Sequence, residues 1–398
     1  MRFGLDLPPQ RRVYGGFLIY SFCLGSLFPR LPDIRAALGV AEGALGLSLI
    51  GTAVGTLISL TFASPVIERI GYRRSILVLI PLVSLFYALA TLASNPASLF
   101  LLLLPAGLCI GAIEIILNLE ADRTEHQIGH RIMNRAHGFW SFGFFSSGLL
   151  GAFIAQLGVS PQIHLFSMIP LVVIGTVLVL GRFDPAPHRT GTSTKAAPRF
   201  AAPTLAILVL VAVTLSALIL EGAGADWSAI YMTDEFRVTP FLAGFAVALG
   251  ALTQAVTRFF ADGFVERYSP VHVARALLSV LGLGCLLVFF ATTEWIALLG
   301  FGLMGVGTSA IFPLAMSAAA QRTDRSSAIN VAALAQISFV AFLLGPPLLG
   351  VVAEQYGIRW SFGVCMPLIA LSFLAASALD KRPISRDVES SLRSAPGG

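Results

Sequence analysis

Charged residues are scarce in this sequence. Asp, Glu, Lys and Arg together make up 12% of the 398 residues, whereas apolar residues reach 56%. Globular domains carry about 25% charged residues. A chain with half that fraction cannot cover a water-facing surface with polar groups, which excludes a soluble fold. We therefore expect an integral membrane protein whose surroundings are the lipid bilayer.

Motifs for cofactors and for catalysis are also missing. The cysteines at 23, 109, 285 and 365 lie in apolar runs without CxxC or metal-ligand spacing, as small buried hydrophobic residues do. The absence of GxxxxGK[ST] argues against an ATP-driven pump, and no Ser/His/Asp set stands out. The net charge is +5, but the basic residues are scattered among short loops, so they do not indicate a nucleic-acid partner. We expect no cofactor, no metal and no nucleic-acid partner.

Two literal motif matches fail on their context. Residues 300–305 match GxGxxG, but a dinucleotide site needs a preceding strand in a soluble βαβ unit. Here the glycines lie in an apolar run, where small residues pack helices. His126 and His130 follow Glu125 at helical spacing, but the order differs from HExxH and no third ligand is near. We expect a solvated cytoplasmic loop there, and neither match predicts a site.

Apolar windows of about 20 residues, long enough to cross a bilayer, occur twelve times. This pattern predicts an all-α integral membrane protein with twelve transmembrane helices. A stretch rich in Pro, Thr and basic residues separates six spans from six, so we expect bundles at 1–181 and 204–380, a linker at 182–203 and a tail at 381–398. The predicted spans are 13–32, 43–66, 75–94, 97–119, 134–158, 162–181, 204–229, 241–263, 273–292, 295–319, 328–352 and 360–379.

Basic residues indicate the orientation of these spans. With the N-terminus inside, the outer loops hold only Arg30, Arg35, Arg237 and Arg359 of the 26 Lys and Arg residues, and Arg258 lies within a span. Cytoplasmic loops carry the excess of Lys and Arg in membrane proteins. Both termini are therefore predicted to be cytoplasmic.

The chain carries an internal repeat. Its two Glu-Arg dipeptides, Glu68-Arg69 and Glu266-Arg267, lie 198 residues apart and each ends a long apolar run. The same offset aligns Gly46 with Gly244. Two similar halves of membrane helices are typical of transporters.

The first Glu-Arg pair opens a loop signature, Glu68-Arg69-Ile70-Gly71-Tyr72-Arg73-Arg74, which resembles that of the major facilitator superfamily. In the second copy Ser269 stands where the glycine would be. The resemblance implies that the loop acid and arginines latch helix ends between the two halves, whereas the alternative is charge that only sets topology. The implied gating residues are Glu68, Arg69, Gly71, Arg73 and Arg74, and in the second copy Asp262, Glu266 and Arg267.

Further segments narrow the resemblance to one branch. GAIEIILNLEADRTEH (111–126), HGFWSFG (137–143), EGAGADWSAIY (221–231), Pro313 and GPPLLG (345–350) are similar to the fucose-permease-like branch and its uncharacterised inner-membrane relatives. This implies a bacterial inner-membrane protein, and a proton-coupled acid at Glu114. One departure argues against fucose itself. Sugar-permease relatives carry an acidic residue within the first span, whereas here the only acid is Asp33 at the outer end of that span, beside Arg30 and Arg35.

Glu114 is the leading candidate for proton coupling. Gly107, Gly111, Glu114 and Asn118 share one helix face by their spacing, and the glycines permit close helix approach. A charged carboxylate at membrane depth costs about 2.5–3.5 kcal/mol, so a neutral form is cheaper there. The alternative is a protonated Glu114 bonded to a neighbouring helix.

Glu221 is the second proton-coupling candidate. It precedes two glycines, 222 and 224, which weaken a helix and could leave carbonyls free for a solute; a structural hinge is the equal alternative. We expect Asp226 and Trp227 nearer the outer surface, with Trp227 as an interfacial anchor.

Arg258 is predicted to be structural, with Asp262 and Glu266 as local partners at i+4 and i+8. Further polar and aromatic side chains could line a cavity, although each could equally pack. These substrate-cavity candidates are Asn118, Trp140, Tyr20, Gln254 and Gln336.

These features favour a monomeric secondary transporter that moves a small-molecule substrate by alternating access. Our first interpretation is proton-coupled symport of a sugar or similar polar metabolite. The 29 phenylalanines keep proton-coupled efflux of amphiphilic compounds as the alternative. A membrane enzyme would need converging catalytic groups, and a channel or sensor would show flux without saturation or exchange.

Overall fold

The structure, a computed structural model, describes residues 4–130, 132–187, 202–325 and 327–380. The predicted tail at 381–398 and most of the predicted linker, 188–201, lie outside these ranges. The side chains of Asp262 and Glu266, two of the predicted gating residues, are not described either, although their backbone is.

The described chain is helical throughout, which confirms the predicted all-α membrane fold. Short 3-10 turns cover Phe28–Arg30 and Ala376–Leu379. The α-helices are α1 Pro9–Gly25, α2 Leu31–Leu38, α3 Glu42–Phe62, α4 Ser64–Ile70, α5 Tyr72–Ala90, α6 Pro96–Ile128, α7 Met133–Gln156, α8 Pro161–Leu180, α9 Leu205–Phe236, α10 Pro240–Tyr268, α11 Pro270–Phe290, α12 Glu294–Thr308, α13 Ile311–Ala320, α14 Ser327–Tyr356, α15 Trp360–Gly363 and α16 Met366–Ala375.

Eleven helical segments in the described ranges are long and apolar enough to cross a bilayer. The remaining predicted span, 13–32, is divided, because α1 ends after 17 residues and a 3-10 turn leads into α2. Large apolar side chains such as Leu101, Ile163 and Leu374 are more than 60% exposed. Such side chains suit a surface that faces lipid.

Helix α6 extends nine residues beyond the predicted end of its span, to Ile128. His126 therefore lies in a helix, whereas the sequence predicted a loop at this position. The extension is mostly polar, yet it buries Glu120, Arg123 and Thr124, so hydropathy alone places the helix end too early.

The predicted span 295–319 is divided into α12 and α13. The first helix ends at Thr308 and the second begins at Ile311, two residues before Pro313. The break frees the Ser309 carbonyl from the regular helical ladder.

Helices α3 and α6 approach each other closely through glycines, as the spacing of Gly107 and Gly111 predicts. A side chain on Gly107 would collide with the backbone of α3 at Thr52 and Thr56. The Thr56 hydroxyl donates a hydrogen bond of 3.1 Å to the Gly107 carbonyl oxygen. The face of α6 that carries Glu114 is thereby held against the interior of the first half.

The two halves of the chain meet along α3 with α14 and along α7 with α10. Gly46 faces the Pro346 backbone, and Gly244 faces Ala152. We call the side of the bundle on which α1 begins and α8 ends the terminal side, where the Leu5 amide donates to the Leu178 carbonyl oxygen at 2.7 Å. The opposite side is the far side. Between the halves lies a central cavity.

Candidate functional site: a cavity between the two halves

The central cavity has a volume of about 580 Å³, within the size range of small-molecule sites. Helices α1, α3, α5, α6 and α7 of the first half line it together with α9, α10, α12 and α14 of the second. Most of its wall is apolar, with few polar groups. The sequence-predicted residues that line it are Tyr20, Glu114, Asn118, Trp140, Glu221 and Gln254. Gln336 is not among the lining residues.

Glu114 forms a polar cluster on the first-half wall. The Asn118 amide nitrogen donates to Glu114 Oε2 and to the Glu114 carbonyl oxygen, both at 2.9 Å. The hydroxyl of Tyr20, a buried residue of α1, interacts with the same carboxylate. The Asn118 side-chain oxygen lies 3.3 Å from Nε2 of His137 on α7. A chain of polar groups thus leads from the cavity to a neighbouring helix.

Arg258 on α10 makes polar contacts with three other segments. Its guanidinium lies 3.6 Å from the Glu221 carboxylate on α9. Its Nε donates to the free Ser309 carbonyl oxygen at 3.0 Å, and NH1 donates to the Ser141 hydroxyl on α7 at 2.9 Å. A guanidinium inside a bundle needs several acceptors, and neighbouring segments supply three of them here. The side chains of its predicted local partners, Asp262 and Glu266, lie outside the described part of the structure, so that pairing stays a prediction.

Arg258 therefore connects the two halves, because Ser141 belongs to the first half, whereas Arg258 itself, Glu221 and Ser309 belong to the second. Glu221, one of the predicted proton-coupling acids, has this cation as its partner. An ion pair also explains how both charges are tolerated at this depth.

The glycines after Glu221 do not break α9. The helix runs continuously over 32 residues through both of them. Each glycine weakens a helix by only about 1 kcal/mol, and packing offsets that cost. The carbonyl that leaves the helical ladder is that of Ser309 instead, and it accepts from Arg258.

Asp226 and Trp227 occupy different surroundings from those predicted. Trp227 is completely buried against Gly350, so it is not an interfacial anchor. Asp226 lines the cavity and is 9% exposed. Hydropathy places both residues near the membrane surface, but α9 continues ten residues beyond Asp226. The spacing of Gly222, Ala225 and Asp226 on one helix face was the signal that could have revealed this acid.

The loop signature lies on the terminal side of the first half. Gly71 has a φ of +91°, which glycine adopts without strain. Arg73 donates to the Gly181 carbonyl oxygen at the end of α8, through Nε at 3.1 Å and also through NH2. Glu68, Arg69 and Arg74 are exposed, and in the second copy the Arg267 guanidinium lies 5.2 Å from the centre of the Tyr268 ring.

An ion-pair cluster that the sequence did not reveal joins the halves on the far side. Arg35 on α2 makes two hydrogen bonds of 2.7 Å with the Asp234 carboxylate on α9, and a third of 2.6 Å with Glu42. The neighbouring Glu235 pairs at 2.6 Å with Arg359, within the second half. The expected neighbour of Asp33 is present, since Arg30 lies 2.8 Å from its carboxylate.

The family model for the Major Facilitator Superfamily matches residues 13–225 and 209–396. A protein of Sinorhizobium fredii described as uncharacterized transporter y4wD is 28% identical over 379 residues, which are 94% of this chain and 98% of that protein. An uncharacterized MFS-type transporter of Yersinia pestis is 26% identical over 372 residues, covering 91% and 93% of the two chains.

Solved structures share the fold. A variant of the nucleoside transporter NupG superposes with a TM-score of 0.73 at 11% identity, over 94% of this chain and all of that one. The Escherichia coli fucose:proton symporter FucP superposes with a TM-score of 0.61 at 16% identity, over 94% and 99% of the two chains. A D-xylose-proton symporter gives a TM-score of 0.71 at 12% identity, over 94% and 96%.

Proposed function

This chain belongs to the major facilitator superfamily and is a multi-pass membrane transporter, not an enzyme, and on that premise we propose that it is a proton-coupled symporter of a small polar solute. It acts as a monomer in the bacterial inner membrane, with the terminal side in the cytoplasm. The solute binds in the central cavity, which opens alternately to either side as the halves rock.

The observation that carries the proposal is the position of Glu114. Its carboxyl group faces the cavity within a cluster of uncharged donors, Tyr20 and Asn118, and no described cation pairs with it. A charged carboxylate is costly at membrane depth, so protonation of Glu114 lowers the free energy of the conformations in which its side chain is shielded from water. Two proteins that share the fold are named as proton symporters of sugars, which supports the same interpretation.

Transport into proteoliposomes tests this proposal. Purified protein would be assayed with labelled sugars, polyols and nucleosides, first by counterflow and then with an imposed proton gradient. We expect Glu114→Gln to keep counterflow and to lose gradient-driven accumulation. The control is Glu294→Gln, at the start of α12 away from the cavity. Unchanged accumulation in Glu114→Gln would refute coupling through this residue.

The apolar wall of the cavity favours a second candidate function. Trp140 and Phe144 stack at 5.5 Å between ring centroids, and Phe301, Phe339 and Phe342 also line the space. Such a wall also suits proton-coupled efflux of amphiphilic compounds. Counterflow of a lipophilic dye, with no counterflow of any polar solute, would favour this alternative.

A further inference from the structure

Asp226 is the cavity acid without a partner. It is 9% exposed and lines the cavity, yet the structure shows no hydrogen bond or ion pair from its carboxylate to any described residue. Glu114 has Asn118 and Tyr20 as donors, and Glu221 has Arg258. A buried carboxylate without a partner is costly, so its presence in a solute cavity points to a ligand group that compensates it.

The charge balance of the cavity indicates the sign of that group. Three carboxylates line the cavity, those of Glu114, Glu221 and Asp226, and among the described residues only Glu221 has a cationic partner, Arg258. Asp226 follows Glu221 by five residues of α9, which places the two residues about 7.5 Å apart along the helix axis. An anionic solute would meet two uncompensated acids, whereas a cationic solute would neutralise one of them.

The surroundings of Asp226 suit an ammonium group in particular. Tyr87 on α5 lies within electrostatic range of this carboxylate, from the opposite half. The Trp140–Phe144 pair and Phe301 add aromatic faces to the same cavity. Aromatic faces attract ammonium groups, and a carboxylate forms charge-assisted hydrogen bonds with them. The indole nitrogen of Trp140 is buried and has no hydrogen-bond partner among the described residues.

We propose that the transported solute is a small hydroxylated amine, and that Asp226 pairs with its ammonium group. This inference rests on the proposed function, since it takes the central cavity as the solute site. Asp226 and Tyr87 come from opposite halves, so a solute between them contacts both rocking units. The amides of Asn118 and Gln254, which line the cavity, would face its hydroxyl groups.

Matched ligands test the inference on the wild-type protein. Glucosamine carries an ammonium group, whereas N-acetylglucosamine and glucose are neutral. The same comparison extends to other amino sugars and amino alcohols with their neutral counterparts. We expect thermal stabilisation of the purified full-length protein, and counterflow, only with charged amines. Absence of amine-specific stabilisation across the panel overturns the inference.

Variants then assign the site. We expect Asp226→Asn to bind the preferred amine at least tenfold more weakly than the wild type, and Asp226→Glu to restore part of the affinity. Glu294→Gln is the control and should bind as the wild type does. The thermal midpoint of each variant without ligand shows whether it is folded, and the wild-type ligand series does not depend on the variants. Counterflow of neutral solutes only, unchanged in Asp226→Asn, overturns the amine inference and leaves the symporter proposal intact. Counterflow of no solute at all contradicts the proposed function itself.

Discussion

Ser269 adopts almost the same backbone conformation as Gly71, 198 residues earlier in the chain. Gly71 has φ 91° and ψ 138°, and Ser269 has φ 73° and ψ 152°. Each residue ends one helix and begins the next, α4 to α5 in the first half and α10 to α11 in the second. The offset equals that between the two Glu-Arg pairs, so the turn geometry is repeated even where the glycine is not.

Replacing Ser269 by glycine is expected to stabilise the protein. This region of φ and ψ is populated almost only by glycine, and another residue there costs about 1–3 kcal/mol. We expect Ser269→Gly to recover about 1 kcal/mol, because glycine also loses more chain entropy on folding. The thermal midpoint of the detergent-solubilised protein should rise.

The Ser269 hydroxyl lies 2.9 Å from His272 Nδ1, and the glycine variant loses this contact. Ser269→Ala is the control, since it removes the hydroxyl and keeps the strained Cβ. We expect alanine to be no more stable than serine. If alanine and glycine stabilise equally, the backbone is not the source of strain.

Much of the fold was predictable because hydropathy and charge are properties of single segments. Apolar windows located the helices, and the spacing of Gly107 and Gly111 predicted the close approach of α3 and α6. Helix ends were less predictable, as α1 and α6 show, because a helix continues beyond the lipid wherever its backbone bonds and packing remain favourable.

The cavity was only partly predictable for a different reason. The side chains of Glu114 and Trp140 line the cavity, as expected, because a polar group in an apolar helix is costly when it faces lipid. Which group pairs with Arg258, and which acid lacks a partner, depends on helices far apart in sequence. A single sequence gives no information on those distances, so Asp226 was assigned to the membrane surface.

Breaking the far-side pair between Arg35 and Asp234 should favour the conformation that is open at the far side. Both side chains are partly exposed, so the pair contributes about 1 kcal/mol, or roughly a fivefold change in population. Spin labels at Ala36 and Tyr356, exposed positions in the two halves, would report the distance. We expect Asp234→Asn to enlarge the long-distance population, and 1 M salt to do the same in the wild type.

Glu235→Gln is the matched control for this experiment. It removes an ion pair of similar length, with Arg359, but that pair lies within the second half. The label distance should therefore stay unchanged. An equal shift in both variants would mean that the distance reports general loosening and not separation of the halves.

Alanine should have opposite effects at two glycines. At Gly107 a Cβ atom would lie 2.7 Å from the Thr52 carbonyl carbon and 2.9 Å from the Thr56 nitrogen, so α3 and α6 must separate. We expect Gly107→Ala to cost about 2 kcal/mol. At Gly224 nothing lies within 4 Å of the added atom, so Gly224→Ala should stabilise α9 by about 0.5–1 kcal/mol. The thermal midpoints of both variants report these changes in stability. A lower midpoint for Gly224→Ala would contradict the continuous helix.

The partner of Arg258 can be identified by double-mutant cycles. Arg258→Gln leaves the Glu221 carboxylate without its cation. We expect it to cost about 2 kcal/mol, less than for a fully buried pair, because both side chains are partly exposed. Glu221→Gln should cost less, since Arg258 keeps the Ser309 carbonyl and the Ser141 hydroxyl as acceptors. The double variant should fall short of the summed costs by about 1 kcal/mol.

A second cycle with Asp262→Asn tests the local pairing that the sequence spacing predicts. If Arg258 acts across helices, the effects of Asp262→Asn and Arg258→Gln add, and coupling is confined to the cycle with Glu221. If the local pair dominates, the pattern reverses. Because the pair with Glu221 determines which cavity acids remain uncompensated, a reversed pattern would also return Glu221 to the set of acids available to a proton or a solute.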